Sequence, residues 1–147
     1  PLLVLWTGIM QIAEDSKLLD KFANLVRPVL SKLFPSLNPN HPAIGYIASN
    51  IAANALGLGS AATPFGLKAM TSMQNDNETP DTATEAMVTF LILNTGGVTI
   101  IPTTVIALRL MYNSSNPTEI IITSILATLC SNISGLLYDY FKRRKGK

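Results

Sequence analysis

Asn54-Ala55-Leu56-Gly57-Leu58-Gly59-Ser60-Ala61-Ala62-Thr63-Pro64, residues 54–64, interrupts an apolar run. That run, residues 42–67, holds no Asp, Glu, Lys or Arg over 26 positions. A helix crosses the hydrocarbon core of a bilayer with about 20 apolar residues, so the run is long enough to span. Its middle, however, carries two glycines and a proline. Glycine enters positive-φ conformations freely, and proline removes a backbone donor. The segment therefore predicts a helix from Pro42, placed as an N1 proline, to about Leu56. It loosens at Gly57-Leu58-Gly59, and a short helix restarts at Pro64 and runs to about Met73.

The pattern returns 40 residues later. Asn54-Ala55-Leu56-Gly57 and Asn94-Thr95-Gly96-Gly97 both read Asn-x-x-Gly, and each is followed by a proline, Pro64 and Pro102. A threonine stands beside each proline: Thr63 before the first, Thr103 and Thr104 after the second. The Asn-to-Pro spacings differ by two residues, so the repeat is inexact. The second copy lies in an uncharged run over residues 86–108, and a third such run covers residues 120–138. Thr82 or Asp81 is expected to cap the helix that leads into the second break.

Backbone groups freed by a break at membrane depth cost several kcal/mol each if left in hydrocarbon. Such breaks persist where they are buried in protein or line a wet cavity. Paired Gly/Pro-interrupted segments in the two halves of a membrane protein are a pointer to a midplane site. The candidate pathway residues are Asn54, Gly57, Gly59, Ser60, Thr63, Pro64, Asn94, Thr95, Gly97, Pro102 and Thr103. Asn and Thr supply oxygens, and half-helix ends add partial charge. Neither break contains Asp, Glu or Lys, so a bound species would meet neutral dipoles and a proton relay is not expected. Structural kinks with Asn and Thr bonding between helices are the alternative.

Composition points the same way. Apolar residues make up 48% of the 147-residue chain and charged ones 14%, against an average of roughly 25% charged in soluble proteins. The fold class expected is an all-α integral membrane protein. It is a helical bundle with two Gly/Pro-broken segments, the first read as re-entrant, and one interfacial amphipathic helix. Residues 1–13 read as the end of a membrane helix that begins before this sequence. Residues 14–34 repeat apolar residues at steps of three and four, with Lys17, Lys21, Arg27 and Lys32 on the other face and a bend near Pro28. Such a helix either lies in the headgroup plane or packs on a soluble partner. The broken segments occupy residues 42–73 and 81–112, and the last membrane helix residues 118–141.

Charge placement sets orientation. Lys142, Arg143, Arg144, Lys145 and Lys147 form a basic tail over residues 142–147. Abutting a span, the tail reads as a cytoplasmic anchor rather than a nucleic-acid site. The amphipathic helix is basic too, yet three full spans would put the two on opposite faces; a re-entrant first segment restores agreement. His41 and Cys130 are single, so no metal site or disulfide is expected, and no catalytic group is recognisable. The chain is read as non-enzymatic, without a cofactor.

The same residues carry a family resemblance. His41-Pro42-Ala43-Ile44-Gly45-Tyr46, Ser49-Asn50, Gly57-Leu58-Gly59 and Ala61-Ala62-Thr63-Pro64 resemble the spore maturation protein A family. So do Asn94-Thr95 and Ile101-Pro102-Thr103-Thr104-Val105-Ile106-Ala107. That family belongs to the Gate, or nucleoside recognition, group, which also occurs in concentrative nucleoside transporters and ferrous iron transporters. The resemblance implies one Gate-like domain over residues 1–147 and a multi-pass protein of the bacterial cell membrane. It further implies a role in spore maturation and spore-core dehydration, with a transporter- or channel-like activity toward an unnamed solute or a non-transporting scaffold role. The implied partners are the lipid bilayer and a protein like spore maturation protein B, with no nucleic acid. Ser60 stands where the family is expected to have Asn, and Gly96-Gly97 where it has bulkier residues. No side-chain role carries over at those positions.

Overall fold

The computed structural model describes residues 18–145; the expected helix end over residues 1–13 and the last two tail residues lie outside them. Six α-helices follow in order: α1 Leu18–Leu33, α2 Pro42–Ala55, α3 Gly59–Asn75, α4 Glu85–Gly96, α5 Thr103–Met111 and α6 Ile120–Lys145. A 3-10 turn, Pro117–Glu119, precedes α6. The described residues contain no strand.

α2 and α3 form a tight antiparallel hairpin, the most extensive helix pairing in the fold. Small residues make the close approach possible: Ala52, Ala53 and Ala62 are buried with Leu58 near its tip. Only Leu56, Gly57 and Leu58 separate the two helices, and Gly57 makes the reversal at φ +76°. The restart falls at Gly59, not at Pro64. Leu58 and Ala62 must already face Ala52 and Ala53, and that requires helix from the first residue after the turn. Pro64 lies in the second turn of α3, where it forgoes one intrahelical bond. α1 likewise runs through Pro28 as one helix.

The hairpin's open end is tied shut. The N-cap His41 accepts from the Ala43 amide through Nδ1 (3.1 Å), leaving Nε2 to donate to Asp76 Oδ2 at 2.6 Å. α1 covers this end by burying Leu30 and Phe34 among Ala43, Ile44, Ile47 and Ala48 of α2. Ala69 and Met73 of α3 and Ala86, Met87 and Phe90 of α4 join the same core. α4 therefore starts beside the open end. Thr84, rather than Thr82 or Asp81, caps it, accepting from the Met87 amide at 3.3 Å.

α6 returns antiparallel to α4. Thr89 meets Asp139, Gly135 packs on Ile92, and Gly96 packs on Asn132. The C-terminal end of α6 thus lies at the same end of the molecule as α1 and the mouth of the hairpin. The basic residues 142–145 belong to α6 itself rather than to a separate tail.

Of the three uncharged runs, only the last is carried by one helix long and apolar enough to cross a bilayer, over Pro117–Arg144 among the described residues. Only 6% of its most apolar window is buried, and Ile122, Leu126, Leu129, Ile133 and Leu137 are exposed. At 1.5 Å per residue α6 is about 39 Å long, whereas α2 and α3 reach only about 21 and 26 Å. The other two runs are divided: the first by the hairpin turn, the second by the non-helical residues 97–102.

Candidate functional site

The two breaks cross. The tip of the hairpin lies against the gap between α4 and α5, and backbone donors from one break satisfy acceptors of the other. Ile100 and Ile101 both donate their amides to the Ala55 carbonyl, at 2.9 and 3.2 Å. Thr103 Oγ1 donates to the Gly57 carbonyl at 2.8 Å. The Ala55 carbonyl is a helix-end acceptor of α2 with no partner within its own helix, and the Gly57 carbonyl belongs to the turn. The crossing leaves no room for a side chain at position 57. A Cβ there would sit 2.2 Å from the Ile101 carbonyl oxygen and 2.8 Å from Thr103 Oγ1.

A ladder of amides runs behind the crossing. Asn50, buried in α2, donates through Nδ2 to the Ala62 carbonyl at 2.8 Å. Asn54 Nδ2 donates to both Asn50 Oδ1 and Asn94 Oδ1, each at 3.3 Å. The two asparagines of the repeat are thus in direct contact, and a third couples them to α3. Nothing in the ladder titrates. It can orient dipoles but not carry a proton.

Beside the crossing is a cleft of about 320 Å³. The residues expected at the pathway are placed differently with respect to it. Asn54, Gly57, Gly59, Pro102 and Thr103 line the cleft. Asn94 stands behind Asn54 as its partner, and Gly97 ends α4 in the left-handed conformation at φ +49°. Thr95 at the end of α4 and Thr63 and Pro64 in α3 are exposed and outside the lining. The backbone of Ser60 belongs to the first turn of α3, and its side chain lies outside the described residues.

Thr99, Thr104, Val105, Ser124 and Thr128 complete the lining. Ser124 and Thr128 come from α6, one helical turn apart, with Thr128 Oγ1 donating to the Ser124 carbonyl at 2.9 Å. Ser124, Thr128 and Asn132 recur at four-residue steps along α6, among further small polar residues at Thr123, Ser131 and Ser134. The lining contains hydroxyls, one carboxamide, backbone and the apolar Pro102 and Val105, and neither a charged nor an aromatic side chain. Two helices, α3 and α5, begin at the cleft with no side-chain cap and no acidic residue in the first turn. Hydrogen bonding by neutral dipoles is the chemistry available. The described residues hold no cluster of His, Cys, Asp and Glu suited to a metal ion.

Among the described residues the fold is all-helical, with two broken segments crossing at their breaks beside one helix long and apolar enough to cross a membrane. The profile of the Gate family, described as nucleoside recognition, matches residues 1–111. Spore maturation protein A of Bacillus subtilis (strain 168) is 53% identical over 146 residues, covering 97% of this chain and 74% of the relative. The chain belongs to the Gate nucleoside-recognition family, and within it to the spore maturation protein A group. No solved structure matches it significantly.

Proposed function

We propose that this chain is a multi-pass membrane protein of spore maturation whose crossed breaks form a transporter- or channel-like pathway for a small, uncharged polar solute. The observation that carries the proposal is the crossing itself. The breaks satisfy one another's backbone and leave a hydroxyl-lined cleft beside the contact. Broken backbone at membrane depth is stable where it is enclosed by protein or lines a cavity, and both conditions meet at this point. The spore-maturation role comes from the relative's name, and the word nucleoside in the family's description suits a neutral, hydroxyl-bearing solute. A partner like spore maturation protein B would close the open side of the cleft.

The arrangement also supports an orientation. α2 and α3 enter and leave at one end, as a re-entrant hairpin does. α4 and α5 make one interrupted crossing, and α6 returns. The basic residues of α1 and of the end of α6 then share a face, which the retention of Lys and Arg on the inner side makes cytoplasmic. Single cysteines at Lys32, Asn75 and Ser115, in a Cys130→Ser chain in intact cells, should give an all-or-none result. An impermeant maleimide should label Ser115→Cys and spare the other two. Labelling at Asn75 from outside would overturn the re-entrant hairpin.

The functional test uses spores. Asn54→Leu and Asn94→Leu remove the amides at the crossing without adding charge. Expressed in sporulating cells that lack their own copy, each should lower spore buoyant density to that of the deletion strain, with membrane abundance unchanged. Density equal to that of the unmodified chain would instead favour a non-transporting scaffold, for which the exposed apolar faces of α5 and α6 would be the contact surfaces.

A further inference from the structure

α1 has two apolar stripes, and the fold uses one. Leu30 and the following Phe34 are buried against the hairpin. Leu25 and Val29, one turn apart, are 71% and 64% exposed. Pro28 and Lys32 continue that second stripe at steps of three and four, so four positions share a face. Pro28, Val29, Lys32 and Leu33 line a shallow groove of about 350 Å³. The groove is apolar along its floor with an ammonium at its side, a surface matched to an amphiphile with an acidic head.

We infer that α1 docks on the bilayer surface and takes an anionic phospholipid, with its phosphate at Lys32 and its upper acyl chain along Leu25, Pro28 and Val29. Charge complementarity supports this occupant. Helix α1, Leu18–Leu33, contains Lys21, Arg27 and Lys32 against the single acid Asp20. Each basic residue near an acidic leaflet contributes roughly 1 kcal/mol of attraction. Placement supports it as well, because α1 covers the end of the bundle where α6 also ends in Lys142, Arg143, Arg144 and Lys145. Both basic segments therefore meet one membrane face. An apolar stripe bordered by basic residues is the pattern of a helix lying at the headgroup boundary. The inference rests on the membrane reading of the chain and adds a lipid class and a site to it.

The experiment uses the full chain in nanodiscs, with Cys130→Ser and an environment-sensitive fluorophore on Val29→Cys. Discs of phosphatidylcholine alone are compared with discs that also contain phosphatidylglycerol. With the anionic lipid the emission should shift to the blue and aqueous iodide should quench it several-fold less. Lys32→Gln should return both readings to their phosphatidylcholine values. A label that stays wet in both lipids would overturn the inference. So would one that is dry in both regardless of the substitution, since the face would then be covered by protein or acyl core. A chain that does not enter discs at all would overturn the membrane reading itself.

Discussion

Gly57→Ala should destabilise the protein by about 3 kcal/mol or more, combining a non-glycine residue in the left-handed region with overpacking against a fixed neighbour. The neighbour decides the size of the effect. The added methyl would meet the Ile101 carbonyl at 2.2 Å, and that backbone is already committed to the crossing because the Ile100 and Ile101 amides donate to Ala55. It cannot rotate away as a side-chain tip could. Relief requires the two breaks to separate, which gives up the Thr103–Gly57 bond as well. Gly59→Ala is the control. Two residues away, its Cβ would meet nothing within 4 Å and its φ is ordinary. Alanine is the better helix former, so that variant should stay within about 1 kcal/mol of the parent. The midpoint of SDS-induced unfolding in mixed micelles reads both. Equal midpoints for the two variants would mean that the hairpin tip does not rest on the second break.

The same contact marks where sequence reading succeeds and where it stops. Glycine and proline act locally, so the breaks at residues 57 and 97 could be placed from Asn-x-x-Gly and the prolines that follow. What those breaks touch could not. The bond from Thr103 to Gly57 joins residues 46 apart, and no local preference encodes it. Pro64 misled because proline at a helix start and proline in a second turn look alike in sequence. The buried pair of Leu58 and Ala62, which forces helix from Gly59, is visible only once α2 is packed beside it.

The last helix hid its content differently. Its length and apolar content made it legible as a span. Ser124 and Thr128 do not differ in type from Thr123, Ser131 and Ser134 in the same helix, so nothing local singles them out. Gly96 is similar: as part of a Gly-Gly pair it suggested backbone freedom, whereas its packing role is close approach. A Cβ at residue 96 would lie 2.7 Å from the Asn132 amide. Asn132 is buried and gives its Nδ2 to the Thr128 carbonyl at 2.8 Å. The cleft wall formed by α6 is therefore held in register with the second break by a glycine and an asparagine 36 residues apart.

Asp139→Leu should be the second severe lesion. Asp139 is only 5% exposed, and its Oδ2 accepts from Thr89 at 2.9 Å and from Arg143. It joins the start of α4 to the end of α6. Removing one member of a buried ion pair costs about 3–5 kcal/mol, mostly because the other charge is left without compensation. Here the lower end applies. The Arg143 side chain is 21% exposed, and near a helix end it can extend toward the headgroups. About 3 kcal/mol is then expected for Asp139→Leu by the same unfolding measurement. The double variant Asp139→Leu with Arg143→Leu should recover more than half of that loss, since two apolar side chains replace a desolvated pair and neither charge is stranded. Thr89→Val should cost only about 1 kcal/mol, the value of one hydrogen bond to a charged group reduced by the bond Thr89 also makes to Glu85. That order separates two readings of the cluster. If Asp139 acts chiefly as an anchor for Arg143, the double variant rescues. A double variant as damaged as Asp139→Leu alone would mean instead that the Thr89 contact holds α4 to α6, and the assignment of the main energy to the ion pair would be wrong.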